Sequence, residues 1–116
     1  MPQITVDYSQ TVDPSFDRQG FARELHALVV RTVDTRLDAC KTRFRRIEDT
    51  VVGAGAVEDA VVHVAIALLP GRAPELKAEL SEAVLDLLAG RLKTADGPMP
   101  VLSAEVRDLE TSYRRR

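Results

Sequence analysis

Met1-Pro2-Gln3-Ile4-Thr5-Val6-Asp7-Tyr8-Ser9 is the stretch on which the fold turns. From residue 3 the pattern alternates: Ile4, Val6 and Tyr8 share one side, and Gln3, Thr5, Asp7 and Ser9 share the other. A period of two, built from β-branched and aromatic residues, predicts a half-buried strand. A strand that begins at the third residue ties down a segment that ordinarily frays. What it ties down is proline. Methionine aminopeptidase generally removes Met before a small residue, so Pro2 is expected to carry a free secondary amine. An ordinary α-amino group titrates at roughly 7.7–8.0. Burial and neighbouring cations lower that value, because both disfavour the ammonium form. The product is a base poised near neutral pH, where general base catalysis works best. With Met1 retained the same nitrogen is an amide without basicity, and Met-Pro is also an ordinary way for a chain to begin.

Beyond this strand, residues 10–15 carry helix-start chemistry: Asp13 or Ser15 as a cap, with Pro14 suited to a first turn. Phe21, Leu25, Leu28, Val29 and Thr32 then form the stripe of an amphipathic helix, which Gly20 weakens near its start. Residues 33–40 have no clear type. Residues 41–49 read as a polar strand, with Lys41, Arg43 and Arg45 on one side and Thr42, Phe44 and Arg46 on the other. The Gly53-Ala54-Gly55-Ala56 loop follows. Residues 60–69 are apolar on both sides, the signature of a central, doubly covered strand, and Pro70-Gly71 ends it. Leu76, Leu80, Ala83, Val84, Leu87 and Leu88 make the clearest helix, with Pro74 in its first turn. Residues 96–100 turn the chain, and residues 101–109 alternate as a last strand. Arg114-Arg115-Arg116 read as a solvated tail.

The order is β-α-β twice over, in halves of about 1–58 and 59–116. Two such halves predict one α+β domain: a four-stranded mixed sheet with two helices on one face. The doubly apolar strand predicts that the other face is covered in an oligomer. At 116 residues, with 45% hydrophobic and 29% charged residues, the chain has an ordinary globular composition. Its net charge of −2 argues against a general nucleic-acid binder. The single Cys40 excludes an internal disulfide and fits a small buried residue in a reducing compartment. No apolar run reaches the ~20 residues of a membrane span, and no leader pattern precedes the first strand. A cytoplasmic protein is expected.

Beside Pro2, further groups carry possible chemistry. Lys41, Arg43 and Arg45 line one side of a strand, either as a grip for an anionic ligand or as charges that protect a sheet edge. Arg72 follows Pro70-Gly71 at a helix start, where its charge and the free N–H groups of the first turn can meet one anion; it also fits a plain surface turn. His63, inside an apolar strand, fits a hydrogen-bonded core histidine; with only His26 beside it, no metal-binding spacing exists.

An opening Met1-Pro2-x-Ile4-x-Val6 combines with Lys41-Thr42-Arg43, Val61-Val62-His63-Val64 and Gly71-Arg72 in a doubled β-α-β chain. This pattern resembles the tautomerase superfamily, and most closely the 5-carboxymethyl-2-hydroxymuconate isomerase family. The resemblance implies cofactor-independent proton transfer. Pro2 is then the catalytic base that moves a proton between carbons of an unsaturated 2-hydroxy or 2-keto acid. Arg43 and Arg72 bind carboxylates and stabilise the dienolate, with Lys41 beside them. It also implies a homotrimer whose sheets face a barrel-like interior, a small-molecule carboxylate as substrate, and no metal, nucleic-acid or membrane partner. Lys41 stands where the family usually has another Arg, and a point charge replaces a planar fork there. Residues 44–46 also depart from the pattern. Hydration or dehalogenation of an unsaturated acid on the same scaffold is one alternative, and a non-catalytic α+β ligand-binding module is another.

Overall fold

The computed structural model describes residues 1–56, 59–92 and 99–116. The strands are β1 (Gln3–Ser9), β2 (Lys41–Ile47), β3 (Val61–Leu68) and β4 (Val101–Asp108), and the helices are α1 (Arg18–Val33) and α2 (Pro74–Arg91). They form one four-stranded sheet in the order β2-β1-β3-β4. The central pair β1/β3 is antiparallel, and each is flanked by a parallel partner, β2 beside β1 and β4 beside β3. This is the mixed α+β sheet expected from the doubled pattern. Residues 96–98 of the expected turn lie outside the described residues.

Alternation decides what each face holds. Ile4, Val6, Val62, Val64 and Ile66 are fully buried, together with Phe21, Leu25 and Val29 of α1 and Leu80, Val84 and Leu88 of α2. They form one cluster, so both helices cover the same face. Each such side chain contributes about 1.5–3 kcal/mol on burial. Phe44, the apolar residue of the polar strand β2, joins Tyr8 and Phe16 at ring-centroid distances of 6.5 and 5.9 Å.

Several local expectations change. Asp13, Pro14 and Ser15 belong to a separate 3₁₀ turn (Gln10–Ser15), and the N-cap of α1 is Asp17, whose carboxylate accepts the Gly20 N–H at 3.0 Å. The helix nevertheless begins before Gly20, where a Cβ would run into the capping carboxylate. Residues 33–40 hold the end of α1 and a short 3₁₀ turn, Leu37–Ala39. β3 is not doubly covered within one chain, because Val61, His63 and Ala65 are only half-buried on the open face. His63 is thus not a core histidine; its Nδ1 pairs with the Ser103 hydroxyl at 2.6 Å across that face.

Ser9 has the parity of the open face yet is buried, with 3% exposure. Its hydroxyl accepts the Val61 N–H at 2.9 Å and pairs with Thr50 Oγ1 at 2.9 Å, joining the end of β1 to the start of β3. Ser9→Ala strands the Val61 donor, and a buried unpaired amide costs about 1–3 kcal/mol. Denaturant unfolding should show that loss together with faster exchange of the Val61 amide. Unchanged stability and exchange would show that the bond contributes nothing.

Candidate active site

The topology brings strand ends together. β1 and β2 begin at the sheet end where β3 and β4 finish, since Gln3 pairs with Lys41 on one side and with Ala67 on the other. Pro2 is buried at this end, and its carbonyl accepts the Lys41 N–H at 3.2 Å. The terminal amine of this chain belongs to Met1, one peptide ahead of the Pro2 nitrogen. Burial lowers its pKa most, followed by the charges of Arg72 and Lys41 and, more weakly, Arg115; the Cys40 thiol opposes them. Burial in turn pushes the Cys40 thiol up, against the pull of Lys41 and the amine.

Each cation has a local reason for its place. Lys41 is half-buried at the first position of β2, where Nζ donates to Ala39 O at 2.9 Å. Arg72 reaches the site because Gly71 takes φ +127°, a backbone setting that residues with a Cβ rarely adopt. Its guanidinium donates to Leu69 O at 3.1 Å and to Val33 O at 3.0 Å, so it also holds the carbonyl end of α1. The guanidinium keeps further donors beyond these. At the start of α2 the first-turn N–H groups of Leu76 and Lys77 are directed to Ala73 O.

Arg43 lies farther along the open face, where it donates to Gln3 Oε1 at 2.6 Å. Arg45 is occupied: it grips its register partner Asp7 through Nε at 2.6 Å and a second nitrogen at 3.0 Å. Arg18, Arg36, Arg46, Lys77 and Arg91 likewise pair with carboxylates. Lys41, Arg43 and Arg72 pair with none among the described residues. Cations gathered without carboxylate partners repel one another, and the charges of Arg72 and Lys41 lower the pKa of the Met1 amine. Pro2 and Lys41 are thus joined by a backbone hydrogen bond, Arg72 acts on the Met1 amine beside them, and Arg43 is tied to Gln3, the residue after Pro2.

Gln3 and Tyr113 escaped the sequence reading. Gln3 Nε2 donates to the Tyr113 hydroxyl at 3.2 Å, across 110 residues of chain. No local pattern marks such a pair; the one cue is an aromatic residue in an otherwise polar segment. A groove of about 430 Å³ between the helices, lined by Glu24, Leu28, Arg31 and Leu87 among others, shares no residue with this cluster.

The family model for 5-carboxymethyl-2-hydroxymuconate isomerase matches residues 2–116. A search of proteins with curated functions gave no significant match. Among solved structures, a 5-carboxymethyl-2-hydroxymuconate isomerase from Deinococcus radiodurans R1 superposes with a TM-score of 0.83 at 20% identity, covering 98% of this chain and 88% of that one. A fused 4-OT protein described as a symmetric trimer gives 0.73 at 25% identity, covering 91% and 84%. A member of the cis-3-chloroacrylic acid dehalogenase family gives 0.67 at 17% identity, covering 90% and 74%. With the family match running from Pro2 to Arg116 and the sheet topology in accord, the chain belongs to the 5-carboxymethyl-2-hydroxymuconate isomerase family and is an isomerase of the tautomerase fold.

Proposed function

We propose that the chain, acting as one domain over residues 1–116, shifts a proton within an unsaturated 2-hydroxy or 2-keto carboxylate of the 5-carboxymethyl-2-hydroxymuconate kind. Pro2, freed of Met1, is its general base, and no cofactor takes part. The observation that carries this reading is the place of Pro2, buried one peptide behind the Met1 amine, whose pKa is lowered by burial and by the charges of Arg72 and Lys41. The neutral amine takes a proton from the substrate, and the electron pair left behind delocalises onto the dienolate oxygen. Arg72 and Lys41 hold the carboxylates and the developing oxyanion, with Arg43 reaching the far carboxylate. The ammonium then returns the proton to a different carbon, and the enzyme ends unchanged. Lys41 gives a point charge where a planar fork grips two oxygens at once, so the carboxylate it meets is less strictly oriented. We also propose a role in aromatic catabolism and a cytoplasmic location, a reading that the free Cys40 supports.

We further propose a homotrimer. Solved relatives are described as symmetric trimers, and the open sheet face carries Val61 and Ala65 half-exposed and Val101 at 55% exposure. Light scattering at micromolar concentration should give three times the chain mass; a monodisperse monomer contradicts it.

Protein with Met1 removed should isomerise a 2-hydroxymuconate-type enol, and protein that retains Met1 should not. The pH–rate profile fixes the sign. The same burial and charges should lower the pKa of the Pro2 amine once Met1 is removed, enlarging the free-base fraction at a given pH. Activity should therefore rise through a pKa below the ordinary α-amino range and be lost only as pH falls beneath it. Equal activity of both forms would end the proline reading. Arg72→Ala should lower kcat/KM by about tenfold to a hundredfold, the worth of a charge-assisted contact. It should also move the acid limb of the profile to higher pH. A fall in activity with an unmoved limb would reduce Arg72 to a brace for α1.

A further inference from the structure

A row of polar side chains crosses the whole open face of the sheet, one from each strand. Register places Arg45 of β2 beside Asp7 of β1, Asp7 beside His63 of β3, and His63 beside Ser103 of β4. Two contacts close within the row. Arg45 grips Asp7 through two nitrogens at 2.6 and 3.0 Å, and His63 Nδ1 pairs with the Ser103 hydroxyl at 2.6 Å. Both helices pack on the other face, so within one chain nothing lies over this row.

Its surroundings are apolar where they touch His63 along β3. Val61 and Ala65 stand on either side of it on the same face, both half-buried, and Val61 has the exposed Val101 as its register partner. Side chains two residues apart on a strand are only about 7 Å apart. A surface that covers Val61 and Ala65 therefore takes His63 out of water with them.

Charge decides what that covering costs. The groups that face His63 are Asp7 from β1 and Ser103 from β4, with Glu105 the next residue along β4 on that face and Arg45 beyond Asp7 on β2. Arg45 already matches Asp7, and the adjoining row ends in Arg43 on β2 and Glu105 on β4. Both rows are balanced while His63 is neutral, and a proton on His63 leaves one positive charge unmatched. Histidine is the ordinary side chain that changes charge between about pH 5 and 8. Removing an imidazolium from water is unfavourable, and copies of the chain gathered about one axis would set their like charges facing one another. The two effects have the same sign.

We propose that the open face is an interface with further copies of this chain whose strength is set by His63: it holds while the imidazole is neutral and loosens when the imidazole takes up a proton. This rests on the homotrimer reading. Assembled chains then bind fewer protons than free ones, so association tightens as pH rises through the histidine range and weakens as pH falls.

Light scattering of the full chain over a concentration series, at about pH 7.5 and about pH 5.5, tests this, with circular dichroism confirming the fold at each pH. The concentration at which trimers half-dissociate should rise by about tenfold or more at the lower pH. His63→Gln, neutral at both, should show no such rise. His63→Lys, charged at both, should be weak already at the higher pH; should it not fold, the His63→Gln comparison decides alone. His26→Gln alters a histidine that pairs with Thr42 at 2.7 Å, away from the open face, and should behave as the unaltered chain. An unmoved midpoint in the unaltered chain, an equal rise in His63→Gln, or loss of the rise in His26→Gln overturns the proposal. A trimer equally strong at both pH values rejects the histidine and keeps the trimer, whereas a monomer at every pH rejects both.

Discussion

An amine held among cations cannot keep its proton as readily as one in water, and the arrangement of this sheet enforces that crowding. The antiparallel β1/β3 pair, each with a parallel neighbour, puts two strand starts and two strand ends at one end of the sheet. The starts supply the amine and Lys41; the ends lead to Arg72 and to Arg115. No helix or loop has to reach across the molecule to assemble the group. The net charge of −2 hides this, because the acidic residues are spent elsewhere, on Arg18, Arg45 and Arg91 among others. Like charges placed together without partners are costly unless an anion joins them, so the cluster is a statement about ligand as much as about structure.

The second half of the chain serves as an internal comparison. Val101 N–H donates to Ala60 O at 2.9 Å just as Lys41 N–H donates to Pro2 O at 3.2 Å. Register then sets Val61 beside Val101 and His63 beside Ser103, where the first half has Gln3 beside Lys41 and Thr5 beside Arg43. The backbone is repeated and the chemistry is not. At that junction the space is used for stability: the Ser9 hydroxyl serves the first amide of β3. The fold supplies two similar ends, and among the described residues the amine, Lys41 and Arg72 lie at one of them.

Much of this was legible in the sequence because it is written in short periods. The alternation of Ile4, Val6 and Tyr8 places β1, and the Leu80, Val84, Leu88 stripe places α2 with its buried face. The turn before Arg72 could be anticipated because Pro70-Gly71 marks it, and Gly71 takes φ +127° there. What escaped depends on parity or distance. An apolar run such as β3 has no alternation to say which side is covered, so His63 was assigned inward and stands outward. Ser9 breaks parity at a junction that only the folded chain contains. The Asp17 cap was hidden because Gly20, read as a weakness, is what makes room for it. Gln3 and Tyr113 meet across nearly the whole chain, and nothing local records a contact set by topology.

The central claim is electrostatic: burial and nearby cations lower the pKa of the Met1 amine, and the proposal carries the same effect to the Pro2 nitrogen once Met1 is removed. It is tested most directly on protein freed of Met1 and labelled with nitrogen-15 proline, by following the Pro2 resonance through a pH titration. The account predicts that the Pro2 ammonium gives up its proton at a pH below the ordinary α-amino range. A titration at or above that range, with the protein folded throughout, would contradict it.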